Sequence, residues 1–199
     1  MRGLSLDDLL PLSDYVSQRR EFFAAHCRYL DHYRRVRIGP KITLLFENRQ
    51  TLWFRVQELL RVARLSEPER VQHELDLYNL LLPSRNCLQA ALLIDVANPE
   101  KLIEELSFWN WLGSDTVRLR IGERYLASRF VTTRPEDRCI GAAHWVQFHF
   151  DAATRRHFAD FRQPVAFAIR HSAYGHESPP LGDDVRQSLV EDLELSDKD

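Results

Sequence analysis

No CxxC pair, no apolar run long enough to cross a bilayer and no familiar catalytic signature occurs in this sequence. Each absence removes a class of function. The three cysteines, Cys27, Cys87 and Cys139, are far apart and odd in number. That set suits unreactive thiols in a reducing compartment, and provides neither a disulfide framework nor the paired ligands usual in zinc and iron–sulfur sites. The longest hydrophobic runs fall well short of the roughly 18 residues that a spanning helix needs. The opening stretch Met1 to Asp8 holds two acids and no extended apolar segment, which argues against a secretory signal. A cytoplasmic protein without a membrane span is therefore expected. GxGxxG and Walker loops, the GxSxG elbow and the HExxH helix are all missing, so no common nucleotide, hydrolase or metalloprotease chemistry is assigned.

Lysine is scarce too: arginine outnumbers it 24 to 3. Basic character gathers at Arg19, Arg20, Arg28, Arg34, Arg35, Arg37 and Lys41, whereas the segment from Gly175 to the end has eight acids and two bases. The net charge of −2 thus hides a basic body and an acidic end. With 44% hydrophobic and 28% charged residues over 199 positions, the chain has ordinary globular composition and enough length for a full core.

Ser13 reads as an N-cap, with Asp14 in the first turn of a long helix to about Arg35. Gly39-Pro40 breaks it, and Lys41 to Glu47 reads as a strand. A second helix is predicted over about Thr51 to Arg64. A third follows the capping box Ser66-Glu67-Pro68-Glu69, ending near Leu82. Leu88 to Val96 is an apolar strand, and Asn98-Pro99 opens a helix ending near Trp111-Leu112-Gly113. Strands Thr116 to Ile121 and Arg124 to Phe130 form a hairpin around Gly122-Glu123. Ala142 to Phe150 is a strand, Ala153 to Arg162 a short helix and Pro164 to His171 the last strand. Beyond Tyr174 the polar, acidic, proline-bearing residues 175–199 read as a flexible tail. Mixing without regular βαβ alternation predicts a single α+β domain over residues 1–174, with helices packed on a mixed or mostly antiparallel sheet.

His144 shares a strand face with Val146, Phe148 and Phe150, and His171 continues the face of Val165, Phe167 and Ile169. An imidazole at an apolar face needs a partner. Each is either a hydrogen-bonded core histidine or part of a metal or acid–base site. A shared site requires the two strands to be antiparallel neighbours, because parallel in-register strands would hold the rings roughly 20 Å apart. Glu58 and Glu74 are the candidate carboxylates on helices, and each has a plain salt-bridge alternative, in Arg61 and Arg70. Two glutamates and two histidines would suit iron, zinc or manganese, although the Glu-x-x-His spacing of di-iron bundles is missing. Arg34, Arg35, Arg37 and Arg61 are candidates for anion or partner binding. The modest charge and the lack of a recognised module argue against nucleic acid.

Several stretches are similar to a bacterial family catalogued as domain of unknown function 3501. They are Arg35-Val36 with Gly39-Pro40, Thr43 to Arg49 (TLLFENR), Gln57-Glu58-Leu59-Leu60-Arg61, Glu74 to Asn79 with Leu82-Pro83, Ala143-His144-Trp145, and His171-Ser172-Ala173-Tyr174. The resemblance covers about residues 5 to 175. The family pattern has an aspartate before its last histidine and a proline after it, where this chain has Arg170 and Ser172. Members are often encoded beside a rubrerythrin-like protein and an iron–sulfur oxidoreductase, which implies a redox or peroxide-stress setting. The resulting expectation is a non-enzymatic accessory protein acting with such a partner. The alternative is a metal-dependent enzyme using His144, His171, Glu58 and Glu74.

Overall fold

The computed structural model describes residues 2–84, 86–131 and 142–195. Among them, the helices are α1 (Leu12–Tyr29), α2 (Arg49–Ala63), α3 (Pro68–Asn79), α4 (Leu102–Ser107), α5 (Ala152–Ala159) and α6 (Asp183–Leu195). The strands are β1 (Arg35–Ile38), β2 (Ile42–Phe46), β3 (Cys87–Ile94), β4 (Val117–Ile121), β5 (Arg124–Ala127), β6 (Arg129–Phe130), β7 (Ala143–His149), β8 (Val165–His171) and β9 (Tyr174–Glu177). They form two antiparallel sheets, one ordered β1-β2-β3-β7-β6 and the other β5-β4-β8-β9. The fold is α+β.

The sheets meet face to face through Phe167, whose ring centroid lies 5.3 Å from Phe46 and 5.2 Å from Phe148. β3 is apolar along nearly its whole length because both faces are covered, and Leu88, Ala90 and Leu92 are fully buried. A smaller apolar cluster joins the helices: Leu52, Val56 and Leu60 of α2 pack with Val71 and Leu75 of α3 and with Leu4. The spacing i, i+4, i+8 on α2 places all three on one stripe.

Four departures from the sequence reading have local causes. The long first helix reaches Arg34 as expected, but its last turn, Leu30–Arg34, is π-helical, and it gives way to β1, an unexpected edge strand ahead of the Gly39 turn. Gly39 has φ +65°, and a Cβ there would stand 2.5 Å from the His176 ring and 2.6 Å from the Tyr174 hydroxyl, so the turn needs glycine. The strand expected from Arg124 to Phe130 splits at Ser128, with β5 in one sheet and β6 in the other. The helix expected from Asn98 to Gly113 contracts to a 3₁₀ turn and the six-residue α4.

The fourth departure is the largest. Residues from Gly175 on, expected as a flexible tail, build most of β9 and all of α6. Leu189 and Leu193 are completely buried in the main core and Val190 nearly so. Their spacing is that of an amphipathic helix, and the acids around them occupy its other faces. Residues 196–199 lie outside the described residues, as does Cys139. No described helix is long and apolar enough to cross a membrane.

Candidate functional site

The four residues expected to share a metal site are dispersed. His144 lies on β7 opposite Leu92, with the Phe130 ring 5.9 Å away. His171 ends β8 in the other sheet, stacked on Trp111 at 4.0 Å with its Nδ1 accepting from the Ala173 amide at 3.2 Å. β7 and β8 are not neighbours, so the antiparallel placement that a two-histidine site required does not occur. Glu58 is fully engaged: Oε1 accepts from the Tyr15 hydroxyl at 2.7 Å, Arg19 Nε at 2.9 Å and Arg61 Nε at 3.1 Å, and Oε2 from the two guanidinium termini. The hydrogen bonds from Arg19, with those from Arg61 and Tyr15, outweigh burial and hold its carboxyl at about 2. Glu74 sits half-buried on α3. Among the described residues, no group of three or more His, Cys, Asp and Glu side chains is placed to hold a metal. His144, His171, Glu58 and Glu74 are therefore not brought together as one ligand set for iron, zinc or manganese among the described residues.

The four arginines also separate. Arg61 clamps Glu58, and Arg35 pairs with Asp31 one helical turn back. Arg35 and Arg37, two apart on β1, line a cavity of about 390 Å³ that also includes Asp95. Arg34 is elsewhere, buried against Asp192 of α6 with both side chains 3% exposed.

That buried pair forms part of the wall of the most developed cleft among those described, about 780 Å³ between the π-helical turn, the start of α2 and α6. Single-turn π segments often mark functional positions, because the widened turn re-aims the side chains on it. Here the turn brings Tyr33 and Arg34 to the cleft, and Tyr29 precedes it. The Tyr29 oxygen accepts from Arg34 Nη2 at 3.0 Å, Arg34 Nε at 3.2 Å and Asn48 Nδ2 at 2.8 Å. Asn48 is the N-cap of α2, accepting from the Thr51 amide, so its orientation is fixed from two sides. The Tyr29 and Tyr33 rings lie 5.3 Å apart, and Trp53 lines the same space.

Burial pushes the Asp192 carboxyl up to about 6, although Arg34 beside it pulls the other way. Burial also works against the Arg34 charge, but Asp192 and Tyr29 more than offset it and move its pKa upward. The bond from Arg34 Nη1 to Asp192 Oδ2 is short, whereas Oδ1 has only a 3.4 Å contact to Nη2. That distance is long for a charge-assisted bond, which runs near 2.7–2.9 Å. Asp184 and Glu191 of α6 add exposed acids at the rim, while the one remaining cation of the lining, Arg49, is paired with Asp8 at 2.5 Å. The cleft is therefore acidic and aromatic, with one carboxylate oxygen poorly satisfied.

Sequence reading offered Arg34 as an anion- or partner-binding candidate, and assigned no site role to Asn48, Trp53, Asp184, Glu191 or Asp192. The available signal was the Leu189, Val190, Leu193 spacing, which makes the acidic end helical and brings carboxylates to the body.

No curated protein matches the chain. A crystal structure of a novel protein of unknown function from Burkholderia pseudomallei is similar, with 26% identity, a TM-score of 0.87, and coverage of 96% of this chain and 100% of that one. Residues 3–193 match the family described as "Protein of unknown function (DUF3501)". That match reaches through Asp192 and so includes both halves of the buried pair, and the chain belongs to this family.

Proposed function

We propose that the protein is a non-enzymatic accessory protein that binds a small organic amine in the cleft between the Tyr29–Arg34 segment, the start of α2 and α6. The observation that carries this reading is Asp192 Oδ1, a buried carboxylate oxygen in the cleft wall whose single hydrogen-bond contact among the described residues is a long 3.4 Å. A buried carboxylate oxygen short of donors favours a ligand that brings one, and an ammonium group brings charge as well. The Tyr29 and Tyr33 rings line the cleft and put aromatic surface beside such a cation. The rim acids Asp184 and Glu191 attract it over distances comparable to the Debye length. The volume falls within the roughly 300–1,000 Å³ common for small-molecule sites. Arg34, already held by Asp192 and Tyr29, positions the carboxylate.

The redox or peroxide-stress setting, with an iron–sulfur oxidoreductase or a rubrerythrin-like partner, rests on the family resemblance alone. The cleft neither requires nor identifies that partner.

Calorimetric titration of the full chain at pH 7.5 with 2-phenylethylamine and with phenylacetate tests the reading, since the two share a ring and differ in the sign of charge. The amine should bind and the carboxylate should not. Asp192→Asn should weaken amine binding about tenfold or more, the loss of one charge-assisted bond. Glu191→Gln at the exposed rim should weaken it two- to threefold without disturbing the fold. Equal binding of the two probes, or an amine affinity indifferent to both substitutions, would overturn the assignment.

A further inference from the structure

The stretch Gln57-Glu58-Leu59-Leu60-Arg61 is only partly accounted for by its visible contacts. Glu58 ties α2 to α1 through Arg19 and Tyr15, Arg61 of its own helix bonds the same carboxylate, and Leu60 fills the helical cluster. Gln57 is different. It is completely buried, yet its Oε1 has no hydrogen-bond partner among the described residues. Its Nε2 reaches the Leu10 carbonyl at 3.5 Å, the outer limit of a hydrogen bond. Exchanging the amide's two ends would point oxygen at that carbonyl oxygen and leave the nitrogen unpartnered instead, so the observed orientation is the better of the two.

Gln57 lines a second, open cavity, about 380 Å³, separate from the cleft and bordered by the segment from Leu6 to Leu12, by α2 and by the start of α3. The remaining walls are chiefly aliphatic: Leu9, Leu10, Leu60, Leu65, Pro68 and Val71. A buried amide oxygen on a residue that walls such a space, itself without a donor among the described residues, is costly. Apolar walls around a few polar groups that fix orientation are the common design of a small-molecule site.

We infer that this cavity binds a compact apolar molecule, or the end of an apolar chain, carrying one O–H or N–H donor that bonds to Gln57 Oε1. The aliphatic walls hold the body and exclude charged ligands. The amide oxygen selects for the donor. This site stands independently of the amine cleft, with which it shares no lining residue.

The isomers 1-hexanol and 1-methoxypentane test the inference, because they match in size and composition and only the alcohol can donate. Each is titrated into the full chain, and methyl resonances of Leu60, Leu65 and Val71 are followed by NMR. The expected result is saturable shifts of these methyls, with 1-hexanol binding about tenfold or more tightly than the ether. In Gln57→Leu the two isomers should bind equally. The wild-type comparison needs no variant, so it decides the matter even if Gln57→Leu does not fold. Equal affinities in the wild-type chain, no saturable shift with either isomer, or an alcohol preference that survives in folded Gln57→Leu would overturn the inference. So would a persistent water bonded to Oε1 that neither isomer displaces.

Discussion

Arg34 and Asp192, 158 residues apart in the chain, form an ion pair in which each side chain is only 3% exposed. The pair joins the π-helical turn after α1 to the last helix. Removing one partner strands a charge in a dry setting, and such deletions typically cost about 3–5 kcal/mol. Asp192→Ala should fall in that range by urea denaturation. Replacing both partners, as Arg34→Met with Asp192→Leu, should recover most of the loss, because no charge is then left unpaired. A double-mutant cycle measures the coupling directly.

The same reasoning makes α6 an integral element. Leu189 and Leu193 are fully buried, and each contributes roughly 1.5–3 kcal/mol through burial. Arg186 of the same helix donates to the carbonyl oxygens of Phe158 at 2.8 Å, Gln163 at 2.7 Å and Asp160 at 2.8 Å, bonding the end of α5 and the loop after it. A chain ending at Gly182 should lose cooperative thermal unfolding, measured by circular dichroism, because a loss of this size is comparable to the whole stability of a domain.

The strands with strong apolar runs, β2, β3, β7 and β8, were legible because a buried strand needs those residues whatever it pairs with. What the alternation of β7 and β8 could not convey was sheet membership, since a strand's own pattern carries no information about its partner. His144 and His171 therefore looked capable of meeting and do not. The C-terminal helix was hidden by composition: eight acids after Tyr174 dominate the average, although three apolar residues at helical spacing suffice to dock a helix. With α6 missed, Asp192 and the cleft it walls were missed too. Arg34 read as a candidate for binding an anion or a partner because nothing near it in sequence signals a buried intramolecular carboxylate.

Glu58 gives a test in acid. Its carboxyl is held at about 2, chiefly by Arg19, against an ordinary value of 4.5. A folded-state pKa below the unfolded one means stability that is present above about 4.5 and lost as pH falls through about 2. The side chain is 21% exposed, so solvent screening reduces the effect. Glu58→Gln should cost about 1–2 kcal/mol at pH 7, and urea denaturation should show that difference shrinking steadily below pH 4.5.

His26 acts in a higher window. Its ring stacks on Phe54 at a centroid distance of 4.0 Å with an interplanar angle of 15°. Burial lowers its pKa from 6.5 to about 4, and the positive charges of Arg55 and Arg35 push the same way. Between those two values the unfolded chain binds the proton and the folded chain does not, so acid favours unfolding. The contribution is intact above pH 6.5 and declines as pH falls through about 4. His26→Phe keeps an aromatic ring against Phe54 and removes the titration. The melting temperature of the wild-type chain should therefore fall relative to His26→Phe as pH drops from 6.5 to 4. Parallel melting curves over that interval would place the imidazole in contact with solvent and out of the stack.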